Sequence, residues 1–150
     1  MPALDPIRQK IPTLAGLAQP TLAMVTDSSR ADDAEKVALV EYDRLVIKCA
    51  AELVKLYGQL GPEYAAAFHH AVLRSQANRL ALYKGEITFG EHAFMSGEQT
   101  AQLRSTMADL ERRRQQMAAQ QEIATAASLG TAAQVMQASQ PVFAPMTATR

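Results

Sequence analysis

The run Lys84-Gly85-Glu86-Ile87-Thr88-Phe89-Gly90-Glu91 limits what this chain can fold into more than any other stretch. Gly85 closes a helix by taking the left-handed conformation that other residues avoid. Thr88 opens the next helix, with Glu91 three residues later, where a capping-box carboxylate belongs. The octet therefore reads as a helix-turn-helix corner, with Gly85, Thr88, Phe89 and Glu91 as its structural residues. It divides the chain into a helical pair before it and one long helix after it.

The apolar periodicity supports that division. Thr26-Asp27-Ser28-Ser29 supplies capping residues, and Asp32, Asp33 and Glu35 favour the positive end of a starting helix. A first helix is predicted from about 30 to 58, with Tyr42, Leu45, Cys49, Leu53, Leu56 and Leu60 recurring at steps of three and four. The same pattern predicts that Cys49 is a buried small hydrophobe. Gly61-Pro62 breaks the helix and starts a second one over 62–84, in which Tyr64, Phe68, Val72, Gln76, Leu80 and Tyr83 form the inner side. A turn this short makes the two helices antiparallel neighbours. Ile87 is placed as a hydrophobic staple, with Phe89 and Phe94 packing under the corner. Gly90 and Gly97 mark either a bend in the third helix or a close approach of another element.

The third helix runs from 89 to about 127, or as far as 138, with Gly130 as a break. Ala93, Thr100, Leu103, Met107, Leu110 and Met117 give it a narrow stripe near coiled-coil spacing. The first two helices are too short to cover it, so it overhangs. The expected fold is all-α: an antiparallel three-helix bundle with a long, overhanging third helix and irregular N- and C-terminal arms. Its parts are an arm over 1–29, a body over 30–110, a projecting helix over 111–138 and a tail over 139–150 with apolar anchors Val142, Phe143 and Met146. Four prolines before residue 27 block a regular helix in the N-terminal arm, which is expected to pack on a partner or to stay mobile. Arg8 and Lys10 ahead of a modestly apolar segment follow the order of a secretory signal, but Pro12, Gln19 and Pro20 interrupt it.

Composition narrows the function. Lys+Arg equals Asp+Glu, so long-range steering toward nucleic acid or an anionic membrane has no basis. No apolar run is long enough to span a bilayer, which leaves contact with a membrane surface as the most that lipid can offer. One cysteine gives no disulfide and no metal-type spacing. His69 and His70 are adjacent, so on a helix they diverge by about 100° and cannot share a metal; His92 diverges likewise from Glu91. No cofactor, metal or catalytic group is expected. Arg112, Arg113 and Arg114 spread over about 200° of helix and make a solvated surface rather than one binding face.

The segment Leu80-Ala-Leu-Tyr-Lys-Gly-Glu-Ile-Thr-Phe-Gly-Glu-His92, followed by a charged helix, resembles a turn of small helical proteins of the bacterial cell envelope, several of them lipoprotein-like. In these a helix ends in a Gly-x-Ile-Thr-aromatic-Gly-Glu/Gln corner and a Gln/Arg-rich helix follows. The resemblance covers about residues 73–104 and implies a periplasmic or envelope location and a non-catalytic role; the cytoplasm is the alternative. The leading expectation is a non-enzymatic helical interaction protein, a structural or accessory subunit of an envelope-associated assembly. It would bind a protein partner or itself through Leu103, Met107, Leu110, Arg112, Arg113, Arg114, Met117, Ile123 and Phe143 and through the two arms. A second expectation is a bundle binding a small apolar ligand or lipid in a cavity lined by Phe68, Val72, Leu45 and Cys49. A third is a metal or catalytic protein using His69, His70 or His92.

Overall fold

A helix begins with backbone donors that lack partners, and the starts of α2 and α4 in this chain meet that need with reciprocal side-chain caps. The computed structural model describes residues 2–17 and 19–138, with side chains as far as 127. The chain is helical, with no strand among the described residues. A 3₁₀ helix, Pro2–Ile7, is followed by the single turn α1 (Leu22–Val25), then α2 (Asp33–Leu60), α3 (Pro62–Lys84) and α4 (Phe89–Ala138). The residues form two compact units, Met1–Leu110 and Glu111–Arg150.

In the first unit, α2 starts later than the sequence suggests. Thr26 and Asp27 serve other turns: the Thr26 hydroxyl donates to the Leu22 carbonyl at 2.9 Å, and Asp27 accepts from the Ser29 N–H at 2.9 Å. The cap of α2 is Asp32, whose Oδ1 accepts from the Glu35 N–H at 2.8 Å while Glu35 Oε2 accepts from the Asp32 N–H at 3.0 Å. Helix α3 follows Gly61 with Pro62 at its first position and ends in Gly85, at φ 71° and ψ 21°. The Gly85 N–H reaches Leu82 O and the Glu86 N–H reaches Ala81 O, at 3.0 and 2.9 Å, the paired bonds of a Schellman closure. Thr88 and Glu91 then cap α4 reciprocally, at 2.7 and 3.2 Å. The corner is as its residues require. Arg30 holds it from outside by donating to the Gly85 carbonyl.

Helices α2 and α3 run antiparallel. Arg79, late in α3, meets Asp43, early in α2, and the rings of Tyr57 and Phe68 meet near the other end with centroids 4.9 Å apart.

The N-terminal segment is not a free arm. Leu4, Ile7 and Ile11 are core residues, packed with Ala31, Ala38, Leu39, Leu82 and Phe89. Its prolines forbid an α-helix, but their fixed φ suits the 3₁₀ helix, so Pro2 and Pro6 lie inside one. Lys10 anchors the segment: its Nζ lies 2.7 Å from Glu35 Oε1, donates to Ser29 Oγ at 3.1 Å, and sits 4.5 Å from the centroid of the buried Phe89 ring.

The inner faces differ from the periodic reading in two ways. Along α2 the expected stripe holds only at its start. Tyr42 and Leu45 are partly buried against the core, whereas Cys49, Leu53, Leu56 and Leu60 are exposed, and the covered face further along is that of Ala50, with Val46, Val54 and Tyr57 half-buried beside it. On α3 the expected stripe is wrong in direction. Steps of four advance 400°, so the series Tyr64, Phe68, Val72, Gln76, Leu80 winds off its face by about 40° per step. The buried positions are Tyr64, Ala71, Asn78, Arg79 and Leu82, while Leu80 and Tyr83 are exposed. At the corner Phe89 is buried as expected and Phe94 is exposed.

Gly90 marks close approach rather than a bend. A Cβ there would lie 2.3 Å from Val25 O and 2.7 Å from Asp27 O. The bare glycine lets the Gly90 N–H bond Asp27 O at 2.8 Å, and the Phe89 N–H bonds Ser29 O at 2.9 Å.

In the second unit α4 continues to Ala138 and passes through Gly130 without a break. Arg114 pairs with Glu111 through two hydrogen bonds of 2.9 Å, and the side chains from Arg112 to Ala127 are exposed. Phe143, Val142, Met146 and the expected tail over 139–150 lie outside the described residues.

Three substitutions test these contacts by urea denaturation. Lys10→Ala leaves the Glu35 carboxylate buried without its cation and is expected to cost about 3 kcal/mol. Lys55→Ala, which breaks an exposed i,i+3 pair with Glu52, is expected to cost under about 0.5 kcal/mol. Gly90→Ala forces two backbone carbonyls apart and is expected to cost about 1–2 kcal/mol despite the better helix propensity of alanine. An equal or higher stability would mean that α4 and the 25–27 segment are not pressed together.

Candidate functional site

On its buried side α3 carries a charge. Arg79 falls eleven residues after Phe68 and seven after Val72, so it shares their face, and its side chain is 4% exposed. Nε donates to Asp43 Oδ1 at 2.7 Å and Nη1 donates to Ser75 Oγ at 2.7 Å. The guanidinium stands 5.8 Å from the centroid of the Tyr42 ring. The remaining nitrogen, Nη2, is buried with no hydrogen-bond partner.

His92 approaches the same region from α4, one turn after the Thr88 cap. It is buried, and its Nδ1 has no partner. Burial pushes the imidazole down to about 4, and the Arg79 charge adds to that effect, so His92 is neutral at pH 7. Asn78 Nδ2 is a third buried donor without a partner.

Arg79 and His92 line a cavity of about 210 Å³ within the first unit. Ile11, Tyr42, Val46, Phe68, Val72 and Leu103 supply its apolar wall. Ser75, Ser96, Gln99 and Thr100 add polar groups. The cavity is therefore apolar on most sides, with its buried cationic group and a neutral imidazole on the remainder.

Only part of this was expected from the sequence. Phe68 and Val72 line the cavity, but Leu45 packs against the core and Cys49 is exposed. Leu103, expected to face a partner, lines the cavity instead. Met107 and Leu110 are half-buried, while Arg112, Arg113, Arg114, Met117 and Ile123 are exposed. His69 and His70 are exposed on α3, and only His92 enters the interior. Arg79, Asp43 and Ser75 were missed as a cluster, although a charged residue in register with Phe68 and Val72 was the available signal. Among the described residues no group of three or more His, Cys, Asp or Glu side chains is placed to hold a metal ion, and no described helix is long and apolar enough to cross a membrane.

A second feature is the apolar surface left bare on α2, where Leu53, Leu56 and Leu60 are 40%, 56% and 55% exposed in line with the partly buried Tyr42 and Leu45. The groove on the outer side of the α2–α3 pair, lined by Val40, Leu73, Leu80 and Tyr83, is also open.

The buried imidazole makes a pH prediction. Its folded-state value lies below its ordinary one, so between about pH 6.5 and 4 the unfolded chain binds the extra proton and stability falls with acidification. Denaturation at pH 7.5 and at pH 5 is expected to differ by about 2 kcal/mol. His92→Gln is expected to flatten that difference; a profile unchanged by the substitution would place the titrating group elsewhere. Compared with protein-family models, with curated proteins and with solved structures, the chain matches none.

Proposed function

We propose that this chain is a non-enzymatic helical interaction protein, built as an antiparallel three-helix bundle of α2, α3 and α4, that acts by associating with a second copy of itself. The observation that carries the reading is the unfinished stripe of α2. Tyr42, Leu45, Cys49, Leu53, Leu56 and Leu60 form one line, and the chain covers only its first part. Leaving three leucines of one line about half exposed forgoes about half of the burial each could give, where full burial is worth roughly 1.5–3 kcal/mol per side chain. Contiguous exposed apolar surface of this kind marks interaction sites.

A second copy suits the surface for two reasons. The formal net charge is zero, so copies do not repel at long range. The flanking charges are also self-neutralised, since Glu52 and Lys55 pair at 2.9 Å beside Leu53 and Leu56. The α4 residues expected to face a partner, Met117 and Ile123 with Arg112, Arg113 and Arg114, extend the proposal to the second unit. An envelope-associated setting is proposed with it, supported by the resemblance of the Leu80–His92 corner.

Cys49 provides the probe, because it lies on the stripe and is exposed. Sedimentation of the full chain is expected to show reversible self-association. Maleimide labelling of Cys49 is expected to slow as concentration rises. Leu56→Lys is expected to yield a folded monomer with concentration-independent labelling. A wild-type chain that stays monomeric, with Cys49 equally reactive at all concentrations, would refute association through this stripe.

A further inference from the structure

We propose that the cavity between α2, α3 and α4 in the first unit is a binding site for a small apolar carboxylate, with the carboxylate held by Arg79 and His92 and the apolar body held by Tyr42, Val46, Phe68, Val72 and Leu103. This assigns a ligand class to a region separate from the proposed association surface.

The size comes first. An apolar cavity of about 150 Å³ accommodates benzene. At about 210 Å³ this one has room for a six-membered ring or short chain plus a three-atom head group. The wall is consistent with that, because most of its surface is apolar.

The head group follows from the buried polar atoms. Arg79 spends two of its three nitrogens on Asp43 and Ser75, which leaves Nη2 unpartnered. A buried donor with no acceptor is costly; Nη2, like His92 Nδ1, is covered by its neighbours, so a ligand oxygen reaches it by a small turn of the side chain toward the cavity and there recovers the lost hydrogen bond. His92 Nδ1 is the second unpartnered atom, and a neutral imidazole with its proton on Nδ1 donates to the other oxygen of the same carboxylate.

Charge favours an anion over a neutral head. Arg79 pairs with Asp43, but the two are not equally deep: the Arg79 side chain is 4% exposed and the Asp43 side chain 30%. Water screens the carboxylate end of the pair more than the guanidinium end, so the interior side of the pair is positive. Hydrogen bonds from a charged donor to a charged acceptor are roughly twice as strong as neutral ones.

The test is calorimetric titration of the full-length protein with benzoate, against benzyl alcohol and acetate as probes. Benzoate is expected to bind at millimolar concentration or better, and at least tenfold more tightly than benzyl alcohol, which lacks the charge, or acetate, which lacks the apolar body. Val72→Phe fills the cavity and is expected to weaken benzoate at least tenfold. The double variant Asp43→Asn/Arg79→Gln removes the charges without leaving either one alone, and is expected to bring benzoate down to the level of benzyl alcohol. Both variants are read only where circular dichroism shows native helicity, and the ligand comparison on the unaltered chain decides without them. No benzoate binding at about 10 mM, equal binding of benzoate and benzyl alcohol, or unchanged binding in folded Val72→Phe would each overturn the proposal.

Discussion

The ammonium of Lys10 is the point on which the first unit depends. It touches three parts of the chain that are distant in sequence: the carboxylate of Glu35 in the first turn of α2, the hydroxyl of Ser29 in the preceding segment, and the face of Phe89 at the start of α4. Its aliphatic stem reaches inward while its charge meets a carboxylate that is itself nearly buried. Glu35 is shared between two tasks, since one oxygen holds Lys10 and the other closes the capping box of α2. The start of α2 and the docking of the N-terminal segment are thus a single arrangement. Glu35 is buried beside the apolar core of Leu4, Ile7, Ile11, Leu39, Leu82 and Phe89, while Lys10 keeps part of its side chain in water.

Legibility in the sequence follows the range of each interaction. The Gly85–Glu91 corner was readable because its bonds join residues three to five apart: Glu86 to Ala81, Gly85 to Leu82, Glu91 to Thr88. The α3 boundaries were readable for the same reason, with Pro62 at one end and Gly85 at the other. The role of residues 2–17 was not readable. Leu4, Ile7, Ile11 and Leu14 do recur at steps of three and four, but Pro2, Pro6 and Pro12 among them argue against a helix, and their partners lie far off on α2, α3 and α4. Asp32 was overlooked as a cap because the Thr26–Ser29 cluster offered the same chemistry earlier, although Glu35 three residues after Asp32 is the capping-box partner that the cluster lacks.

The cavity was half readable. Phe68 and Val72 were placed on an inner face, but the four-residue steps carried that face round the helix to Leu80 and Tyr83, which are exposed. Following steps of three and four together leads instead through Ser75 to Arg79 and Leu82. A charged group on that path is a departure from an apolar core. The buried Asn78, Arg79 and His92 lie where α3 meets the start of α4, so the least apolar part of the interior borders the cavity. The exposed stripe of α2 is the complementary departure, an apolar surface where a solvated one is ordinary.

The anchoring of Lys10 against Phe89 also has a consequence in time. The two residues are roughly 80 positions apart, and chains are synthesised at about 5–20 residues per second, so the first waits on the order of 10 s for the second. Helices α2 and α3, joined by a tight turn, form a hairpin from local contacts during that interval. Leu4, Ile7 and Ile11 remain without their final cover until the corner and the first turn of α4 emerge. The Gly85–Glu91 turn is therefore the last local element needed before the N-terminal segment locks, and the order of synthesis makes closure of the core a late event set by residues near its end.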